Sequence, residues 1–188
     1  MDIYGQALLD QYRGKLKSKL WLYNSYGHPE DMPVDIFFRP EADMPEMEII
    51  AMDLCRGKTL DIGAGVGSHA LILQSKGIDV TALELSTKAC EIMKHRGVKT
   101  VVNADILQYD SEKYDTILLL MNGIGLCEDI PGLRYFLDYI KNLIVPGGQL
   151  IFDSSDIAYL YKPDEFISSN YYGEISYQYE YQRIKGNW

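Results

Sequence analysis

A short apolar run ending in an acid and a cluster of glycines, Leu60-Asp61-Ile62-Gly63-Ala64-Gly65-Val66-Gly67-Ser68, constrains this chain more than any other stretch. Helical periodicity follows it directly, so the order is strand, glycine turn, helix. That order leaves free backbone N–H groups at a helix start with a carboxylate beside them, an arrangement suited to a nucleoside-type ligand. A tight turn needs positive φ, and a ligand packed on bare backbone tolerates no Cβ. Gly63 and Gly65 stand where both needs fall. A plain strand-to-helix loop satisfies the same short pattern, so the surroundings decide its meaning.

Two further acids follow at the spacing of a doubly wound sheet. Ile78-Asp79-Val80-Thr81-Ala82-Leu83-Glu84 reads as a second strand. Its last residue, Glu84, lies about twenty residues past the glycine turn, where an acid can hold ribose hydroxyls. Residues 98 to 102 read as a third strand, with Asp105 just beyond its end. Parallel strands deliver their C-terminal ends to one edge, so Asp61, Glu84 and Asp105 are expected to converge on one crevice.

The rest of the middle of the chain alternates in the same way: strand 58 to 63, helix 66 to 76, strand 78 to 84, helix 86 to 96, strand 98 to 102, strand 114 to 121, helix 131 to 143, strand 148 to 153. Short β–α units with apolar strands mark an α/β fold with a doubly wound, mainly parallel sheet. Ser86 is a suitable N-cap for the helix that follows it. Before this core, apolar residues from Ile3 to Tyr23 at spacings of three and four predict an amphipathic helix over 3 to 24, weakened by Gly14. The prolines between 27 and 45 predict an ordered loop or lid, and a helix restarts over 47 to 54.

Residues 47–155 thus form a cofactor-binding core, preceded at 1–46 by a helix and lid-like loop and followed at 156–188 by a tail, all within one structural domain. In the tail, residues 157 to 166 look partly helical, and Ile175, Tyr177, Tyr179 and Tyr181 alternate with polar residues as in a half-buried strand.

The core residues resemble the class I S-adenosylmethionine-dependent methyltransferases. The acid-x-Gly-x-Gly-x-Gly run from Asp61 to Gly67 is similar to that family's first motif, Glu84 to its ribose-binding acid, and Asp105-Ile106 to its adenine-binding pair. Tyr114 to Asn122 resembles the fourth strand, and Leu143 to Asp153, with Pro146-Gly147-Gly148, the turn into the fifth. The resemblance implies a Rossmann-like methyltransferase core with S-adenosylmethionine as cofactor. Asp61, Gly63, Ala64 and Gly65 would surround its methionine portion. Glu84 and Leu85 would meet its ribose, Asp105 and Ile106 its adenine, and Met121 and Asn122 would face the transferring methyl group. Family members close their sheet with an antiparallel hairpin, which is incomplete in this tail. Either the tyrosine strand belongs to an insertion and the hairpin is missing, the favoured account, or it finishes the sheet edge. An unpaired aromatic strand invites association, so a homodimer through residues 171–184 is expected.

A formal net charge of −9 with a pI near 4.8 disfavours capture of a polyanion, so no nucleic-acid partner is expected. The basic run from Arg13 to Lys19 reads as the solvated face of the first helix. Cys55, Cys90 and Cys127 are odd in number and set in apolar or helical patterns, so buried thiols are expected and no metal site or disulfide framework follows. The amino terminus lacks a secretory pattern and no apolar run reaches bilayer length, which points to a cytoplasmic protein with no membrane partner.

Methyl transfer from a sulfonium needs alignment more than side-chain chemistry, and no catalytic residue is assigned. His69 is either a base at the cleft or a solvent-facing helix residue; Asn122 is either a ligand to acceptor or cofactor, or a turn residue. Tyr4, Tyr12, Trp21, Tyr23, Tyr26, Phe37 and Phe38 either form a lid or cover the sheet, and Arg39 is a candidate partner for the cofactor carboxylate. The acceptor is expected to be a small molecule or a protein. Two other readings stand beside this one. An NAD-dependent oxidoreductase would need a third glycine where Ser68 stands, and its Tyr-x-x-x-Lys pair, at Tyr109 and Lys113, falls in a polar loop. A non-catalytic nucleotide-binding or interaction module would use the same fold.

Overall fold

The computed structural model describes residues 1–158 and 173–186. The elements run α1 (Ile3–Tyr12), β1 (Leu20–Asn24), β2 (Glu30–Met32), α2 (Glu46–Asp53), β3 (Lys58–Ile62), α3 (Ser68–Ser75), β4 (Asp79–Glu84), α4 (Thr87–Arg96), β5 (Thr100–Asn103), β6 (Tyr114–Leu119), α5 (Ile130–Ile140), β7 (Ile144–Phe152), β8 (Tyr177–Tyr181) and β9 (Ile184–Lys185). Short 3-10 turns at Val34–Phe38, Glu41–Asp43, Ile106–Gln108 and Gly123–Cys127 join them.

The core is a five-stranded sheet in the order β5-β4-β3-β6-β7, with every pairing parallel. The three central strands are buried along nearly their whole length because helices cover both faces. On one face Ala82, Leu118 and Leu120 pack with Met52, Ala70, Leu73 and Met93 of α2, α3 and α4. On the other Leu60, Leu83, Ile117 and Leu119 pack with Phe136 and Ile140 of α5. The sheet is therefore doubly wound, and the chain reverses its direction of travel between β3 and β6. Ser86 caps α4 as expected, its Oγ accepting from Ala89 N at 3.1 Å. β7 starts earlier than expected, at Ile144, and runs through Pro146-Gly147-Gly148 with a register shift opposite Tyr114 and Thr116.

The amino-terminal helix is half the expected length. It stops at Tyr12 because Gly14 takes a left-handed φ of +65°, while Gly14 N donates to Gln11 O at 2.9 Å and Lys15 N to Asp10 O at 2.7 Å. Those bonds form a Schellman stop, which uses glycine where another residue would be strained. The basic run beyond Arg13 is thus an exposed connection and not a helix face. Residues 20 to 24, expected as the end of that helix, are β1.

The tail strand is not an unpaired edge. β8 lies between β1 and β9 in a separate antiparallel sheet, order β2-β1-β8-β9. It neither finishes the parallel sheet nor stands alone: β1 pairs with it from Tyr177 to Tyr181, and β9 pairs with Glu180 and Tyr181. A hairpin does follow it, through Gln182 and Arg183 at φ 53° and 65°. Two positive-φ residues between antiparallel strands make a type I′ turn, normally signalled by Asn-Gly, which explains why the hairpin was illegible. Positions 171 and 172, like most of the expected helix over 157 to 166, lie outside the described residues.

Chain ends and core meet through α1. Ala7 and Leu8 of α1 pack with Leu20, Val34, Ala89, Ile92 and Tyr181. Tyr181 Oη donates to buried Asp10 at 3.0 Å and accepts from Lys17 N at 3.1 Å. Among the described residues no helix is long and apolar enough to cross a membrane.

Candidate functional site

The parallel arrangement brings the C-terminal ends of β3, β4 and β5 to one edge. Gly63 N and Ala64 N both donate to Leu83 O, at 2.9 and 3.1 Å, which folds the glycine turn over toward the end of β4. All three glycines have positive φ, but their surroundings divide them. A Cβ on Gly63 would meet nothing within 4 Å, and one on Gly65 only Tyr4 Oη, at 3.8 Å. A Cβ on Gly67 would press Val98 and Met93 at 2.8 and 2.9 Å. The first two therefore leave a bare-backbone cradle, whereas Gly67 permits helix packing.

Glu84 closes the next side. Its Oε2 accepts from Gly65 N at 2.9 Å and its Oε1 from Ser86 N at 2.8 Å. Burial pushes its pKa up, and the N–H groups of Ser86, Gly65 and Leu85 pull it back down. Leu85 beside it is 70% exposed. Asn103, at the end of β5, pairs in register with Glu84, and its amide donates to Glu84 O and Leu85 O, each at 2.9 Å. Asp105 follows two residues on, capping the turn Ile106–Gln108 through Leu107 N at 2.9 Å. Ile106 is buried in the core beside Leu60 and Leu83.

Asp61 is the anomaly. It is 2% exposed, and its Oδ2 has no hydrogen-bond partner. Burial raises its pKa to about 6, against the lowering influence of His69, while Glu84 adds to the rise. A buried carboxylate oxygen with no donor costs stability, and this one stands on β3 just before the open glycine cradle.

At the end of β6, Met121 and Asn122 both adopt left-handed backbone, φ 58° and 59°. Asp153 holds this strained turn from the end of β7, accepting from Met121 N at 3.0 Å and Asn122 N at 2.7 Å. The Asn122 side chain takes part in the turn, its Oδ1 accepting from Ser155 Oγ at 2.9 Å. Of the two roles open to Asn122, the structure thus displays the turn residue. Asp153 was not singled out from sequence, because only the pairing of β6 with β7 brings it opposite residue 121.

Of the two expectations for His69, the solvent-facing one does not hold. The ring is 8% exposed, and its Nε2 lies 2.7 Å from Glu48 Oε2. Glu48 also binds Arg39, whose other terminal nitrogen donates to Ile36 O at 2.7 Å. Arg39 is therefore committed within the chain through both terminal nitrogens. Glu48 escaped sequence reasoning, although it shares a helix face with Ala51, Met52 and Cys55, all buried. The aromatic residues both cover and pack: Tyr4 meets Phe37 edge-on at 5.2 Å and stacks on Tyr179 at 5.4 Å, with its hydroxyl above Gly65.

The dehydrogenase constellation does not form. Tyr109 Oη pairs with Tyr114 Oη in the core at 2.5 Å, and Ser68 Oγ donates to Phe37 O at 2.6 Å. Cys55, Cys90 and Cys127 are free and buried, with burial pushing their thiols up to about 12, 11 and 11.

Residues 60–152 match the model of a methyltransferase domain. The crystal structure of a S-adenosylmethionine-dependent methyltransferase from Bacteroides fragilis, complexed with S-adenosyl-L-homocysteine, superposes with a TM-score of 0.90 and 36% identity, over 99% of this chain and 78% of that one. The chain belongs to the class I S-adenosylmethionine-dependent methyltransferases. An amino pentose methyltransferase from Micromonospora echinaspora shares the fold at TM-score 0.56 and 18% identity, covering 72% of this chain and 62% of its own. A ubiquinone biosynthesis O-methyltransferase of Photorhabdus laumondii is 24% identical over 52% of this chain and 42% of the relative. Its counterpart in Coxiella burnetii is 28% identical over 56% and 48%. The chain thus spans less than half the length of these curated relatives. The nicotinamide and binding-module readings are set aside in favour of the methyltransferase family.

Proposed function

We propose that this methyltransferase binds S-adenosylmethionine at the C-terminal edge of β3, β4 and β5 and methylates a small-molecule acceptor. The unpartnered, buried Oδ2 of Asp61 beside the open cradle of Gly63 and Gly65 carries this reading. These residues fit the cofactor: Asp61 would accept from its ammonium, and Gly63, Ala64 and Gly65 would let its methionine portion lie on backbone. Glu84, with Leu85 beside it, would hold the ribose hydroxyls, and Asp105 and Ile106 would meet the adenine. When bound, the cofactor supplies an electrophilic methyl group on a sulfonium.

The chain's own contribution is alignment and exclusion of water, effects worth up to about 7 to 11 kcal/mol in favourable geometry. The Met121–Asn122 turn, held rigid by Asp153, would present the acceptor side of the cleft. Tyr4, lying over Gly65 between Phe37 and Tyr179, would exclude water from the cofactor. A small acceptor is supported by the acidic net charge of −9 and by the relatives in ubiquinone biosynthesis. Free, buried thiols suit a cytoplasmic enzyme.

Calorimetric titration tests the proposal. S-adenosylhomocysteine should bind and NAD should not, and Glu84→Ala should weaken binding by about tenfold or more, as expected for loss of a charged hydrogen-bonding group. No heat with S-adenosylhomocysteine would overturn it. Release of S-adenosylhomocysteine from S-adenosylmethionine in the presence of a metabolite panel then identifies the acceptor.

A further inference from the structure

Arg39, Glu48 and His69 form a buried hydrogen-bonded chain, their side chains 13%, 8% and 10% exposed, and its histidine end acts electrostatically on Asp61. Two polar atoms in this cluster are buried without partners, the donor Arg39 Nε and the acceptor Asp61 Oδ2. The chain also joins three pieces of backbone. Arg39 ends the segment Val34–Phe38, Glu48 stands on α2, and His69 is the second residue of α3. The same segment is fastened at two further points: Ser68 Oγ donates to Phe37 O at 2.6 Å, and Arg96 lies 5.4 Å from the Phe38 ring while donating to Val66 O at 2.7 Å.

We propose that Arg39, Glu48 and His69 are positioning residues for the amino-acid end of the cofactor: Glu48 fixes the His69 ring that acts on Asp61, while Arg39 ties the Glu48 carboxylate to the segment docked on the glycine turn. The inference rests on the cofactor reading above and names residues that act through Asp61. His69 lowers the Asp61 pKa against the rise that burial imposes, and so favours the ionised carboxylate that an ammonium needs. Other titratable groups facing Asp61 are Glu84 from β4 and Cys55 beyond α2. The Cys55 thiol, pushed up to about 12, stays neutral across the working range.

The test titrates the full chain with S-adenosylhomocysteine and with 5′-methylthioadenosine, which keeps the nucleoside and lacks the amino-acid end, from about pH 5 to about pH 8. Titration of Glu84 affects both ligands alike, so the pH dependence specific to S-adenosylhomocysteine reports Asp61. In the parent protein that affinity should rise as pH passes about 6. Glu48→Gln should weaken S-adenosylhomocysteine roughly tenfold, leave 5′-methylthioadenosine within about twofold, and move the midpoint to higher pH. Equal losses for both ligands, or no loss, would overturn the proposal. If Glu48→Gln does not fold, His69→Gln is read with the same two ligands and the same criteria. A parent protein that binds neither ligand overturns the cofactor reading itself.

Discussion

Replacing Asp61 by asparagine should remove a pH-dependent penalty that the fold now carries. The carboxyl is buried on β3 with Oδ2 unpartnered, and its pKa is raised from 3.8 to about 6, chiefly by burial. A gap of about two pH units, at about 1.4 kcal/mol each, amounts to about 3 kcal/mol. The sign follows from proton binding. Between the unfolded value and the folded one the native state holds more protons than the unfolded chain, so stability falls as pH rises through that window. Above it the whole penalty remains.

The amide introduced by Asp61→Asn does not titrate, although its buried N–H carries a pH-independent cost of about 1 to 3 kcal/mol. The informative quantity is therefore the difference between the two proteins at two pH values. Urea unfolding near pH 4 and near pH 8 should show that difference changing by about 2 kcal/mol in favour of the variant at the higher pH, since a small part of the penalty is already present at pH 4. Other carboxylates titrate in both proteins and cancel. A difference that stays constant within about 0.5 kcal/mol would refute the claim that Asp61 is ionised against its surroundings. The variant should also bind S-adenosylhomocysteine more weakly, because the acceptor for its ammonium is gone.

Asp153→Ala should lower stability by about 2 kcal/mol, since two half-exposed backbone bonds of roughly 1 kcal/mol each are lost from a strained turn. Asp153→Asn should lose about half of that, as measured by the same urea titrations. Arg183→Gly should raise stability by about 1 kcal/mol, because residue 183 has a positive φ of 65°, and the gain should appear as a higher midpoint with unchanged slope.

The core was legible because its signals are local. Apolar strands, the glycine turn, the Ser86 cap and the acids at 61, 84 and 105 each follow from a few neighbouring residues, and parallel pairing then has one way to align them. Gly14 was also legible in kind, as a weak point in a helix, but its strength as a stop came from the bonds to Asp10 and Gln11. The hairpin at Gln182-Arg183 lacked its usual turn residues. Glu48 carried a readable pattern, three, four and seven residues before buried Ala51, Met52 and Cys55, yet a carboxylate on an apolar face is read as exposed until a partner is known.

The amino-acid sequence by itself thus determined the parallel sheet and the edge where its acids gather, since periodicity and turn chemistry act over short range. Only tertiary structure decided that the two ends of the chain share an antiparallel sheet, that Asp153 clamps the Met121–Asn122 turn, and that Arg39, Glu48 and His69 join in one buried chain. Those arrangements pair residues far apart in the chain. Each partner's environment comes from the other, and neither segment carries that information alone.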